Sequence, residues 1–233
     1  MSVSQWVRSA TAVLHKELSV EWRSRQGLGS TLLFSVSSLT AMAYVLAFKT
    51  VAVDVKAALV WLIILFAAMS GLARTFVREE DTGTADSLRM AAPATAVLAG
   101  KMIFNALLTV AVEIVSVPLF LMIMPIMRPH IDYGLLVAVM ALGGIGLAAA
   151  ATFVAALISQ ATAGGARGAL FFVVAFPALV PVLMSAVSGT LAALASDPTT
   201  ADMAHNSLVV LGTYDVVAIT AAFLLFGWVW TEA

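Results

Sequence analysis

Arg74–Lys101, RTFVREEDTGTADSLRMAAPATAVLAGK, is the most polar interior stretch of a chain whose flanking segments are long and apolar. It carries Arg74, Arg78, Arg89 and Lys101 together with Glu79, Glu80, Asp81 and Asp86. Thr84 is placed to cap a helix, Asp86 to complement the dipole in its first turn, and Pro93 to end it after about two turns. On that helix Leu88, Ala91 and Ala92 share one face and Arg89 points away. An acidic cluster followed by a short helix suits the docking of a soluble partner; the plain alternative is a solvated loop between two spans.

The composition makes the flanks decisive. The chain is 62% hydrophobic and 11% charged, with a mean hydropathy of +1.04, whereas soluble domains carry about a quarter charged residues. This is the composition of an integral membrane protein. The net charge of −1 gives no reason to expect nucleic acid. No cysteine is present, which excludes disulfides, thiolate metal sites, iron–sulfur clusters and thioether-attached haem. A cleavable signal peptide is not expected, because Trp6, Arg8, His15, Lys16, Glu17 and Glu21 stand where its apolar core would have to be.

Working outward, spans of about 20 apolar residues fall near Gly29–Phe48, Ala57–Phe76, Met102–Met124, Gly134–Ile158, Ala169–Gly189 and Leu208–Trp230. The hydroxyls of the first (Ser30, Thr31, Ser35, Ser37, Ser38, Thr40) suit packing against neighbouring helices. Gly143, Gly144 and Gly146, with the alanines after them, form a close-packing surface on the fourth. Pro177 and Pro181 predict a kinked or broken fifth helix. Ahead of the spans, Ser2–Gln26 has helical period but too few apolar residues to cross. Val3, Trp6, Val7, Ala10, Val13, Leu14, Leu18 and Trp22 share one side and the polar residues the other, which predicts an interfacial amphipathic helix. Gly27 and Gly29 then allow a sharp turn into the bilayer.

With the N-terminus inside, nine basic residues (Arg8, Lys16, Arg23, Arg25, Arg74, Arg78, Arg89, Lys101, Arg167) are cytoplasmic and three (Lys49, Lys56, Arg128) lie outside. This asymmetry predicts cytoplasmic N- and C-termini.

The interfacial helix, six spans and a loop of the form E-E-D-x-G-T-x-x-S-L followed by P and G-K resemble the permease subunits of type-2 ABC exporters. More narrowly, the chain resembles the haem exporter protein B family (CcmB-type permeases) of cytochrome c maturation. The matching stretches are Leu14–Arg25 (LHKELSVEWRSR), Trp61–Phe66 (WLIILF), Phe76–Gly83 (FVREEDTG) with Lys101 beyond, and Phe176–Pro181 (FPALVP). Ala91–Ala94 departs from the bulkier, leucine-rich run of the family and leaves the end of the short helix open.

The resemblance implies an all-α polytopic membrane protein with about six transmembrane helices and an N-terminal interfacial helix over 2–26. A single permease domain would cover 1–233, with a cytoplasmic coupling loop at 77–100. It implies a bacterial inner-membrane location and an ABC ATPase subunit on the cytoplasmic face. It also implies other cytochrome c maturation membrane subunits as partners and two copies in the complex. ATP would bind only the partner, and haem would be cargo rather than a covalently bound cofactor. The coupling residues it points to are Phe76, Arg78, Glu79, Glu80, Asp81, Gly83, Thr84 and Leu88, the last filling an apolar pocket on the ATPase. The sequence agrees in one respect: G-x-x-x-x-G-K-[ST] is missing, since Gly100-Lys101 lacks the upstream glycine and the following hydroxyl.

Glu113 is expected to be the only acidic residue deep in a span, either a functional carboxylate in gating or a protonated, hydrogen-bonded structural one. His130 and His205, in outward loops, are candidate haem contacts, with simple polarity as the alternative; His15 reads as a solvated histidine. No metal site or catalytic residue is expected, for neither H-E-x-x-H nor G-x-S-x-G occurs. Two other functions stay open: a type-2 exporter of a lipid, glycan or drug, and a proton-coupled transporter using Glu113.

Overall fold

The computed structural model describes residues 2–46, 51–72, 79, 83–123, 131–161, 167–195 and 200–231. All regular elements among them are helical: α1 Val3–Ser24, α2 Gln26–Leu46, α3 Val53–Leu72, α4 Ala85–Ala91, α5 Ala94–Ile123, α6 Tyr133–Ala161, α7 Arg167–Ala195 and α8 Ala201–Thr231. Six of them (α2, α3, α5, α6, α7, α8) are long and apolar enough to cross a membrane, as the hydropathy of the sequence predicts.

α1 starts where its sequence provides a cap. The Ser2 hydroxyl accepts the Gln5 amide, and the Gln5 side chain accepts the Ser2 amide in return, a reciprocal capping box. The turn into α2 is made not by the glycines but by Arg25, at φ 51°, whose amide donates to the Glu21 carbonyl at 2.7 Å. Its guanidinium lies 5.7 Å from the Trp22 ring. Glu21 then folds back and accepts the Leu28 amide at 2.6 Å, satisfying a free donor at the start of α2. Gly27 serves this contact, since a Cβ there would stand 2.6 Å from the Glu21 carboxylate.

α6 is the centre of the bundle, packed against α5, α7 and α8 and touching α3. Its glycines seat one large or polar side chain from each of three neighbours. A Cβ at Gly143 would stand 2.3 Å from the Trp61 ring of α3, one at Gly144 2.6 Å from the Glu113 carboxylate of α5, and one at Gly146 2.5 Å from the Asp215 carboxylate of α8. Trp61 is fully buried and donates from Nε1 to Thr190 of α7 at 2.8 Å, which ties three helices through one ring.

Polar residues inside the bundle meet each other across helices. Ser35 of α2 bonds Ser116 of α5 at 2.5 Å, and Asn105 of α5 donates to Thr152 of α6 at 2.8 Å. Of the α2 hydroxyls, Ser35 and Thr31 are buried while Ser30, Ser37 and Thr40 are exposed. α7 runs unbroken through Pro177 and Pro181, so the expected break does not occur. Between the two prolines the Ala178 carbonyl accepts the Tyr214 hydroxyl at 2.6 Å, which ties α7 to α8.

α5 begins at Ala94, several residues before the expected start at Met102. The loop read as 77–100 therefore ends at Pro93. Lys101, counted among the cytoplasmic charges outside the span, is buried within α5 and paired with Glu17 and Glu79.

Candidate functional site

At one end of the bundle, α1, the segment at Glu79, α4, the start of α5 and the end of α8 converge. Their link is a cluster of two lysines and two glutamates. Lys101 Nζ lies 3.0 Å from Glu17 Oε1 of α1 and 2.9 Å from Glu79 Oε2. Lys16 pairs with Glu17 at 3.2 Å and with Oε1 of Glu79. Lys101 is 0% exposed, Glu79 4% and Glu17 7%, so these charges are held away from water by one another.

Gly100 makes the cluster possible. A Cβ there would stand 2.8 Å from the Ala10 carbonyl oxygen and from Val13, so only glycine lets the α1 backbone lie this close to α5. Trp6 completes the attachment by donating from Nε1 to Thr95 Oγ1 at 3.0 Å. Ala10, Val13 and Glu17 form the packed face of α1. Val3, Val7, Leu18 and Trp22, expected on the same apolar side, are instead exposed as a separate stripe.

Burial alone would raise the Glu17 carboxyl, but the Lys101 and Lys16 charges outweigh it and hold the group below its ordinary 4.5. Burial would likewise lower Lys16, and the hydrogen bond and charge of Glu79 with the charge of Glu17 outweigh it, leaving the amine above its ordinary 10.5. The Glu17 contribution is thus complete above pH 4.5 and lost as the pH falls through its lower folded value. The Lys16 contribution is complete below pH 10.5 and lost as the pH rises through its higher folded value. A spin label at Ser19→Cys, a unique thiol in this cysteine-free chain, should report constant mobility between those limits and increased mobility in acid. A transition near neutral pH would contradict the pairing.

Several expectations shift. Glu79 directs both carboxylate oxygens inward to lysines, so its charge is not offered to a partner. Gly83, at φ +66°, occupies the left-handed region and makes the turn before α4. Thr84 adopts helical angles and makes no side-chain cap; its amide donates to the Glu79 carbonyl at 3.0 Å, because the turn closes back on that residue. Leu88 packs against the chain's own core rather than outward. Arg89 turns inward too, its guanidinium 5.1 Å from the Trp230 ring of α8, which itself stacks on Phe226. Among the described side chains of α4, the large apolar one that faces outward is Met90, 84% exposed. Phe76, Arg78, Glu80 and Asp81 lie outside the described residues, as does the Asp86 side chain.

Glu113 is buried against Gly144, as an intramembrane carboxylate was expected to be, but it is not alone. Asp215 is equally enclosed, 6% exposed and set against Gly146. The span expected at Leu208–Trp230 already holds Asp215 about two turns inside its start; α8 starts at Ala201, which puts Asp215 midway along it. His205 is exposed on the first turns of α8, and His130 lies outside the described residues.

The CcmB protein family matches residues 8–226, nearly the whole chain. The chain belongs to the CcmB protein family. Membership in the CcmB family implies a membrane permease role in haem export for cytochrome c maturation. Comparison with curated proteins finds none that matches. Within a CcmB-family chain the Gly100-Lys101 pair has a structural use: the glycine admits α1 and the lysine neutralises two buried carboxylates.

Proposed function

We propose that this chain is the permease subunit of an ABC-type complex in haem export, driven by a separate ATPase. The ATPase would bind the face formed by α1, α4 and the end of α8. The observation that carries this reading is the lysine–glutamate cluster. A partner that displaces the segment bearing Glu79 and α4 pulls on α1 and on α5 together, because Lys101 and Lys16 hold all three. Rigid-body motion of that unit would reach α6 through the contacts of α5. Met90, Gly83, Glu80 and Asp81 would contact the ATPase, and Phe76 and Arg78, which follow α3 in the chain, would link the loop to that span.

In this reading the chain spans a bacterial inner membrane with the convergent end and both termini on the cytoplasmic side, and the complex holds two copies with other cytochrome c maturation subunits. The cycle either carries haem across the membrane or releases a haem-loaded chaperone from a partner; haem transport in vesicles with purified subunits separates these. The docking claim is tested by co-purification. Glu80→Lys with Asp81→Lys should lose the ATPase while the spans stay folded, and ATPase retention at wild-type affinity would sink the assignment. A proton-coupled reading draws on Glu113 and Asp215, two buried intramembrane carboxylates; it requires transport in vesicles containing no ATPase.

A further inference from the structure

Between α1 and α4 lies a cavity of about 320 Å³ lined by Arg8 and Lys16 and, among the described residues, by no carboxylate. Arg8, Ser9 and Lys16 of α1 line one side, and Val13 with Leu88 and Ala91 the apolar remainder. Glu17 and Glu79 are turned to Lys101 and Lys16 and do not line it. Lys16 is partly neutralised by that pairing, but Arg8 is exposed and makes no ion pair with any described residue. The floor is fixed, since Trp6 and Gly100 hold α1 on α5.

We propose that this cavity binds the phosphate headgroup of an anionic phospholipid. The charge of the wall selects an anion, with Arg8 as the principal partner of the phosphate and the Ser9 hydroxyl as a donor beside it. The apolar part of the wall selects a lipid over free phosphate. The exposed stripe of Val3, Val7, Leu18 and Trp22 suits a helix lying at the boundary of headgroups and acyl chains, which brings the cavity mouth to headgroup level. A lipid held there touches α1 and α4 at once, so membrane composition would bear on how α4 is held.

The test is native mass spectrometry of the full-length protein in detergent, offered phosphatidylglycerol or phosphatidylcholine at equal concentration. Wild type should retain phosphatidylglycerol preferentially. Arg8→Gln should reduce that retention about fivefold, the effect of one basic residue at a membrane surface, and Arg8→Lys should keep most of it. Arg23→Gln, which removes the same charge from α1 outside the cavity, should leave it unchanged. Equal losses in Arg8→Gln and Arg23→Gln would mean diffuse attraction and overturn the site. Displacement of the lipid by equimolar inorganic phosphate would overturn the choice of a lipid. Unchanged lipid retention with weakened ATPase co-purification in Arg8→Gln would assign the cavity to a protein partner instead.

Discussion

Lys101→Met should cost about 3–5 kcal/mol of stability, because it leaves Glu17 and Glu79 buried without the cation they share. Both carboxylates lie within 3.0 Å of the Lys101 ammonium, and both are buried. Lys16 remains, but its side chain is 42% exposed and cannot replace a fully enclosed charge. The expected result is a fall in the yield of monodisperse protein after detergent extraction and a lowered midpoint in thermal unfolding. Adding Glu17→Gln and Glu79→Gln should recover part of the loss, since neutral amides do not need the cation. If Lys101→Met behaves as wild type, the cluster does not hold the convergent end together. If the triple variant is no better than the single one, the burden comes from lost packing of the lysine stem rather than from orphaned charge.

Gly143→Val should have a comparable effect at the centre of the bundle. Its Cβ would stand 2.3 Å from one Trp61 ring carbon and 3.0 Å from two more. Trp61 is 0% exposed and anchored by its 2.8 Å bond to Thr190, so the ring cannot give way without breaking that bond or separating α3 from α6. Overpacking of this kind costs about 1–3 kcal/mol for extra methylenes in a core that can adjust, and the anchored ring puts this site at the upper end. Gly212→Ala is the control: nothing lies within 4 Å of its Cβ position, and the gain in helix propensity of up to about 1 kcal/mol makes it neutral or mildly stabilising. Gly143→Val combined with Trp61→Leu should be more stable than Gly143→Val alone. Thermal unfolding of these three variants and of Trp61→Leu alone decides the matter, and additive effects would show that the contact does not govern the site.

Both predictions concern features whose residues were in view in the sequence but whose meaning was not. The glycines of α6 were legible as a close-packing surface, because small residues in an apolar run have few other uses. Which side chain each one receives was not legible: Trp61, Glu113 and Asp215 come from three different helices. Asp215 lies about two turns inside a span that starts at Leu208, and the start of α8 at Ala201 moves it to the middle of the helix. The faces of α1 were half legible. Helical period separates polar from apolar, but it does not distinguish Ala10 and Val13, which pack on α5, from Val3 and Trp22, which are exposed. The short helix after Gly83 was read correctly as an element, yet Leu88 and Arg89 turn inward and Met90 outward, because α4 packs against α1 and the end of α8 rather than standing free.

The sequence by itself determined that this chain crosses a membrane as helices. Runs of about 20 apolar residues must satisfy their backbone hydrogen bonds internally in lipid, and that requirement depends on no contact between one segment and another. Only the tertiary structure decided what the charges at the convergent end do. Glu17, Glu79 and Lys101 are far apart in the chain, and whether each is solvated or buried turns on Gly100 letting α1 approach α5. Pairing makes Lys101 an interior residue, and Arg74–Lys101 thereby becomes the end of a helix as well as a loop.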